Sequence, residues 1–147
     1  MAMIGLLQRV TEASVSVDSE SIAAIGRGIL VLVGVEKSDT QENCRRLAER
    51  LLSYRVFPDH DGRMNLSVSG IEGGILLVPQ FTLAADTRKG TRASFTSAAP
   101  PESASLLFDR LVGEIRGQHA ETATGIFGAD MQVALVNDGP VTFWLSG

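Results

Sequence analysis

The sequence is short of the residues that usually announce chemistry. A single cysteine, Cys44, and two histidines, His60 and His119, stand among 147 residues. One thiol cannot close a disulfide within the chain, so neither a disulfide scaffold nor an oxidising compartment is indicated. Cys44 reads instead as a small buried hydrophobe in a helical pattern. Neither histidine lies in an HExxH stretch or near a cysteine pair, which argues against a zinc site, and each reads as a solvated loop or helix-end residue. No apolar run reaches the roughly 18 residues of a membrane span, and Met1 to Val10 carry Gln8 and Arg9 where a secretory leader needs an unbroken apolar stretch. A soluble, cytoplasmic protein with no membrane partner is expected, and Asn65-Leu66-Ser67 is then a chance glycosylation triplet.

Positive charge is scarce as well. Thirteen Lys and Arg against 17 Asp and Glu give a net charge of -4, which excludes nucleic-acid binding by global charge and confines any RNA contact to a local patch. The nucleophile elbow GxSxG and the phosphate loop GxxxxGK[ST] are absent. Gly26-Arg27-Gly28 lacks the third glycine of a dinucleotide fingerprint and precedes a strand pattern, so it reads as a turn. A hydrolase built from this chain shows no triad and must work through backbone groups, geometry or the substrate itself.

What is present suits one α+β domain over residues 1–147, 44% apolar and with 15 Gly to 5 Pro. Ile4 to Asp18 reads as a strand, Val15 and Val17 alternating with Ser14 and Ser16. Ile29 to Val33 is apolar on both faces, as a central strand requires. Asp39 and Glu42 form a capping-box pattern before a helix over about 40–53, its stripe running through Cys44, Leu47, Ala48, Leu51 and Leu52. Asp59-His60-Asp61-Gly62 is turn chemistry, with a loop through Asn65. Ile75 to Leu83 reads as a strand, and Pro101 starts a second helix striped by Ala104, Leu107, Phe108, Leu111, Val112 and Ile115, with Gly117 past its end. Met131 to Val136 and Val141 to Leu145 read as two strands, a terminal hairpin or similar pair around Asn137-Asp138-Gly139-Pro140. The expected architecture is a mainly antiparallel or mixed, barrel-like sheet carrying two amphipathic helices.

Two segments carry candidate chemistry. In Pro79-Gln80-Phe81-Thr82-Leu83 the proline removes a ladder hydrogen bond, which points to an edge or bulge with accessible backbone. Extended geometry would set the Gln80 amide beside the Thr82 hydroxyl, as a polar pocket wall or as a strand end that merely meets water. In Asn137-Asp138-Gly139-Pro140-Val141-Thr142, the Gly-Pro bond is the inexpensive place for a cis peptide. A cis bond there would aim a rigid Gly139 carbonyl sideways, suited to catching an ammonium and excluding a misplaced substituent; a simple turn fits the same residues. Between these segments, residues 84–99 hold Arg88, Lys89 and Arg92 against the single acid Asp86, the best local basic patch.

These segments, together with Ala84 to Gly90, Ser94-Phe95-Thr96, Ala98 to Pro101, Phe127 to Val133, Gly62 and Met64-Asn65-Leu66, closely resemble the D-aminoacyl-tRNA deacylase family, from Gln8-Arg9-Val10 to Trp144-Leu145. The resemblance implies a cofactor-free and metal-free homodimer. It would hydrolyse the ester joining a D-amino acid to the 3′ end of tRNA and remove glycine mischarged on tRNA-Ala. It implies catalytic positions at Gln80, Phe81 and Thr82, with Phe81 acting through its backbone and the main catalytic role falling to the 2′-hydroxyl of the terminal adenosine. It further implies that a cis Gly139-Pro140 reaches into the partner's pocket to select the D configuration. Substrate contacts are implied at Met131, Pro79 and Asn137, and the local basic patch of Arg88, Lys89 and Arg92 is expected to help position the tRNA end. Two departures stand out: Pro79 replaces the family's usual Ser, and Arg92-Ala93-Ser94-Phe95 replaces Arg-Pro-Ser-Phe. The first removes a hydroxyl and an N–H beside the pocket, an expected cost of about ten- to a thousandfold in rate if either bonds the substrate.

Overall fold

The computed structural model describes residues 2–147; of the leading stretch Met1 to Val10, Met1 lies outside the described residues. In chain order the elements are β1 (Ile4–Val17), β2 (Glu20–Ile25), β3 (Gly28–Gly34), α1 (Gln41–Ser53), β4 (Phe57–Pro58), β5 (Met64–Leu66), α2 (Val68–Ile71), β6 (Gly74–Pro79), a 3-10 turn (Phe81–Ala84), α3 (Pro101–Arg116), β7 (Thr122–Thr124) and β8 (Gln132–Ser146). The main sheet runs β2-β1-β3-β6-β7, with β8 on the other side of β1. The β3–β6 and β6–β7 pairs are parallel and the pairs made by β1 are antiparallel. This is the mixed, barrel-like α+β sheet expected.

Strict alternation in β3 and β6 divides the core. Ile29, Val31, Val33, Ile75 and Leu77 face one side, where the stripes of α1 and α3 cover them through Leu47, Leu51, Phe108 and Leu111. Leu30, Leu76 and Val78 face the other, packing with Val10, Ala13, Val15 and the first half of β8. Two fully apolar faces explain why β3 reads as a continuous hydrophobic run.

Several expectations are corrected. The α1 cap is Thr40, whose N–H donates to Asn43 Oδ1 at 2.7 Å. Asp39 instead accepts the Glu36 N–H at 2.7 Å, its Oδ1 buried without a partner among the described residues, and burial pushes its carboxyl above the ordinary range. The turn at Asp59 forms as expected, Asp59 Oδ1 accepting from the Asp61 and Arg63 N–H groups, but it leads into β5, paired with β4, rather than a loop. His119 is buried, its Nε2 donating to the Gly73 carbonyl at 2.6 Å, because that carbonyl has no ladder partner at the start of β6. The expected strand over 75–83 ends at Pro79, and the 3-10 turn takes over.

The terminal hairpin is replaced by one continuous strand. β8 pairs with β1 along both halves, and the ladder jumps from Val10↔Asn137 to Gln8↔Thr142, so residues 138–141 bulge opposite Arg9. Turn chemistry is present, yet the chain keeps its direction because β1 supplies a template on both sides of the bulge.

Close approach of β3 to β6 depends on Gly28: a Cβ there would lie 1.9 Å from the Gly74 carbonyl oxygen. Gly28→Ala is therefore expected to lower unfolding free energy by about 2–3 kcal/mol, whereas Gly26→Ala, facing open space, should change it by less than about 0.5 kcal/mol. Urea denaturation of the two variants checks this.

Candidate active site

The first motif sits where β6 ends. The Gln80 N–H donates to the Val33 carbonyl at 2.7 Å, in register with the parallel β3 ladder, so the Pro79 nitrogen faces the other way. On that side β7 pairs only as far as Thr124, and the missing N–H of Pro79 removes no ladder bond. Pro79 is thus on an internal strand, at its end, rather than at a sheet edge. The chain then tightens into the 3-10 turn, fitted against the end of β3 because Gly34 has no side chain: a Cβ there would meet Leu83 Cβ at 2.8 Å.

The turn, rather than an extended strand, brings Gln80 and Thr82 together. Gln80 Nε2 donates to Thr82 Oγ1 at 2.5 Å. The Thr82 hydroxyl keeps its own proton for an outside acceptor. The turn's own bonding begins with the Leu83 N–H to the Gln80 carbonyl at 3.2 Å, so the Phe81 and Thr82 N–H groups precede the first internal acceptor. An amide, a hydroxyl and two backbone donors on an exposed turn can bind an ester carbonyl and stabilise negative charge developing on it. Met131 belongs to the same locality: a methyl at Gly125 would lie 2.8 Å from the Met131 sulfur and 3.5 Å from the Pro79 ring, and that sulfur accepts the Ile126 N–H at 3.4 Å. A cleft of about 590 Å³ opens nearby, but its wall is the far side of the turn, Leu83 and Ala84, and not Gln80 or Thr82.

The second motif is the β8 bulge. The Gly139-Pro140 bond is cis. Gly139 has φ +135°, and a Cβ would lie 2.7 Å from Val141 Cγ2 and 3.0 Å from Arg9 Nη2. Both the angle and the space require glycine. Asn137 closes the bulge, its Oδ1 accepting the Val141 N–H at 3.0 Å and its Nδ2 donating to Thr142 Oγ1 at 2.9 Å. Beneath it, Arg9 donates from Nε to the Asp138 carbonyl at 2.9 Å and from Nη1 to the Val56 carbonyl at 2.6 Å, with the Asp138 carboxylate at 3.6 Å. Sequence reasoning passed over Arg9; a lone arginine at a half-buried strand position is the signal that marks it.

One chain does not join these motifs. Gly34, on which the 3-10 turn rests, pairs with Ile4 of β1, whereas the bulge lies opposite Arg9. Five strand positions separate the two, about 17 Å. The surface between them carries half-buried Leu6 and Leu32 beside Trp144, which is 57% exposed.

The basic loop flanks the first motif. Asp86 and Ser94 exchange backbone hydrogen bonds at 2.7 and 2.9 Å, making it a short two-legged structure. Arg88 binds Asp86 through Nε and Nη2 at 3.0 and 2.9 Å, holding that carboxyl down at about 2. Lys89 and Arg92 are exposed and, among the described residues, take part in no ion pair. No helix is long and apolar enough to cross a membrane.

The nearly closed mixed sheet, with a polar turn at one end and a Gly-Pro bulge in its last strand, is the fold of a family of ester hydrolases named for aminoacyl-tRNA. The chain belongs to the D-Tyr-tRNA(Tyr) deacylase family, whose model matches residues 6–146. It is 63% identical over 143 residues to the D-aminoacyl-tRNA deacylase of Thioalkalivibrio sulfidiphilus, covering 97% of this chain and 96% of that one. It is 60% identical over 140 residues to that of Teredinibacter turnerae, covering 95% and 97%. Among solved structures, the c-Myc DNA Unwinding Element Binding Protein superimposes with a TM-score of 0.94 at 40% identity, over 98% of each chain. A probable eukaryotic D-amino acid tRNA deacylase shares the fold, with a TM-score of 0.87 at 18% identity over 99% of each chain.

Arg9→Met would leave two part-buried carbonyls without donors, an expected loss of about 2–3 kcal/mol in unfolding free energy. Asp138→Asn removes only a half-exposed, long ion pair and should cost less than about 0.5 kcal/mol. Chemical denaturation of both variants tests which contact holds the bulge.

Proposed function

We propose that this chain hydrolyses the ester between a D-amino acid and the 3′ end of tRNA, and also clears glycine mischarged on tRNA-Ala, working as a homodimer whose two pockets each draw on both subunits. In each pocket, Gln80, Thr82 and the backbone of Phe81 from one subunit hold the ester. The partner copy presents its Gly139 carbonyl to the substrate ammonium, with Pro140 beside it. A carbonyl fixed in that position accepts from the ammonium of one configuration and crowds the side chain of the other. Met131 and Pro79 border the terminal adenosine, Asn137 sets the bulge that carries the selector, and Arg88, Lys89 and Arg92 meet tRNA phosphates. The attacking group is activated in part by the substrate's own 2′-hydroxyl, consistent with a site that offers hydrogen bonds rather than a triad.

The observation that carries this reading is the separation of the two motifs along β1 within one chain. In the proposed dimer, a second copy laid on the Leu6, Leu32 and Trp144 surface would set one subunit's bulge beside the other's 3-10 turn. Two-fold symmetry then makes two equivalent pockets.

The deciding measurement is a time course of deacylation on tRNA charged in parallel with D-tyrosine, L-tyrosine and glycine. Loss of the D and glycyl esters with the L ester intact is expected. Loss of all three would mean relaxed chirality and remove the chirality selector from the reading. Stable binding of tRNA without loss of any ester would favour the second reading, a nucleic-acid-binding dimer without turnover, which the likeness to the c-Myc DNA Unwinding Element Binding Protein supports.

The shared pocket has its own test. Gln80→Ala and Asn137→Ala should each lose roughly tenfold or more in kcat/KM through misplacement of the groups that meet the substrate. Unfolding the two together and refolding them forms mixed dimers with one intact pocket, so about a quarter of wild-type activity should return. No recovery in a mixture shown to exchange subunits would place each pocket within one chain.

A further inference from the structure

The most conspicuous exposed apolar surface next to the candidate site is aromatic. Phe81 is 61% exposed and Phe95 45% exposed, and their ring centroids lie 5.3 Å apart with a 42° tilt. Phe95 is not on a loose tip. Its carbonyl accepts the Ala98 N–H at 3.1 Å, and the returning leg is fastened to the segment just after β3, the Lys37 N–H donating to the Ser97 carbonyl at 3.0 Å and the Ala99 N–H to the Val35 carbonyl at 3.0 Å. Two rings held in place at the surface, one of them in the turn that carries Gln80 and Thr82, have faces available for stacking.

Charge identifies what they stack against. The loop between the rings exposes Lys89 and Arg92, while its single acid, Asp86, is already neutralised by Arg88. On a chain of net charge -4, this is a local positive field set beside π surfaces. Single-stranded nucleic acid is recognised by that combination, cations tracking the backbone while aromatic rings take the bases.

We infer that Phe81 and Phe95 form a step on which an unpaired base of the tRNA acceptor strand, on the 5′ side of the terminal adenosine, stacks. This rests on the deacylase reading for the identity of the RNA, not for the chemistry of the surface. The stack is tolerant of base identity, because every base has a π face, and it fixes the angle at which the strand enters the ester site. Phe95 is a positioning residue; it touches the strand, not the reacting atoms.

The test uses the full-length protein with two substitutions at Phe95 and a short single-stranded oligonucleotide ending in CCA, read by fluorescence anisotropy. Phe95→Leu keeps apolar bulk but removes the ring, and its affinity should fall by about 5- to 100-fold, the range of a lost base–aromatic stack. Phe95→Trp should restore it. In turnover, Phe95→Leu should raise KM for D-aminoacyl-tRNA with kcat within about twofold, and leave hydrolysis of a D-aminoacyl ester of adenosine alone unchanged. Equal affinity of Phe95→Leu and wild type for the oligonucleotide overturns the inference. So does a weaker dimer, seen by ultracentrifugation, with both substrates losing rate together; that result gives the rings to the partner copy. Ring-dependent oligonucleotide binding in a protein that cleaves no ester supports the stack and removes only the deacylase reading.

Discussion

The fold turns on one guanidinium at one strand position. β1 is paired on both sides for most of its length, to β3 and β2 on one and to β8 on the other, and Arg9 stands where the β8 ladder breaks. Four residues bulge outward opposite it, and their freed backbone groups need partners. Arg9 supplies two charged donors, one to the bulge at Asp138 and one across to Val56, so the break is bridged to a second element rather than left to solvent. Charged hydrogen bonds to carbonyls in a half-buried setting are worth more than the exposed carboxylate contact beside them. The bulge is therefore a fixed feature, and Asn137 trims it from the other end.

That constraint also explains what was and was not legible beforehand. The two-sided apolar run of β3 and the stripes of α1 and α3 are properties of burial, and burial is written in side-chain pattern; these elements read correctly, Gly117 after α3 included. The β8 bulge is a property of pairing. Asn-Asp-Gly-Pro has the composition of a reversing turn, and only the presence of β1 on both sides decides that the strand continues. The same limit applies to the 3-10 turn, where Pro79-Gln80-Phe81-Thr82-Leu83 reads as extended until Gly34 is seen to leave room for Leu83. The neighbours of Gln80 and Thr82 were right and the backbone that joins them was not. His119 and Thr40 follow suit, since a lone buried imidazole and a displaced cap are set by carbonyls and amides that no local pattern displays.

An acidic protein that takes a polyanion must keep its repulsive charge away from the strand. The ion pair of Arg88 with Asp86 does so by cancelling the one carboxylate in the loop and by tying the side chain to the loop's own backbone. The cost is that Arg88 brings less net attraction than its charge suggests, and the field rests on Lys89 and Arg92. Attraction of this kind is screened over about 10 Å at 0.1 M salt, so on the proposed reading it would act only on phosphates close to the rings. Local placement, rather than total charge, is what an acidic chain has available.

Separating the two motifs has a chemical consequence of its own. On the proposed dimer, the groups that hold the ester and the carbonyl that tests configuration belong to different chains, so neither is complete in a monomer. On that reading a free monomer would not cleave L-esters indiscriminately, because the turn alone would lack the partner wall that orients the ammonium. In that dimer, specificity and activity would rise together when the subunits meet. In the proposed dimer, the apolar surface of Leu6, Leu32 and Trp144 would couple them, so that strengthening that contact would sharpen both and loosening it would lose both. A site that works by placing hydrogen bonds has most to gain from such coupling, since its rate depends on how closely the ester is held rather than on the strength of any one group.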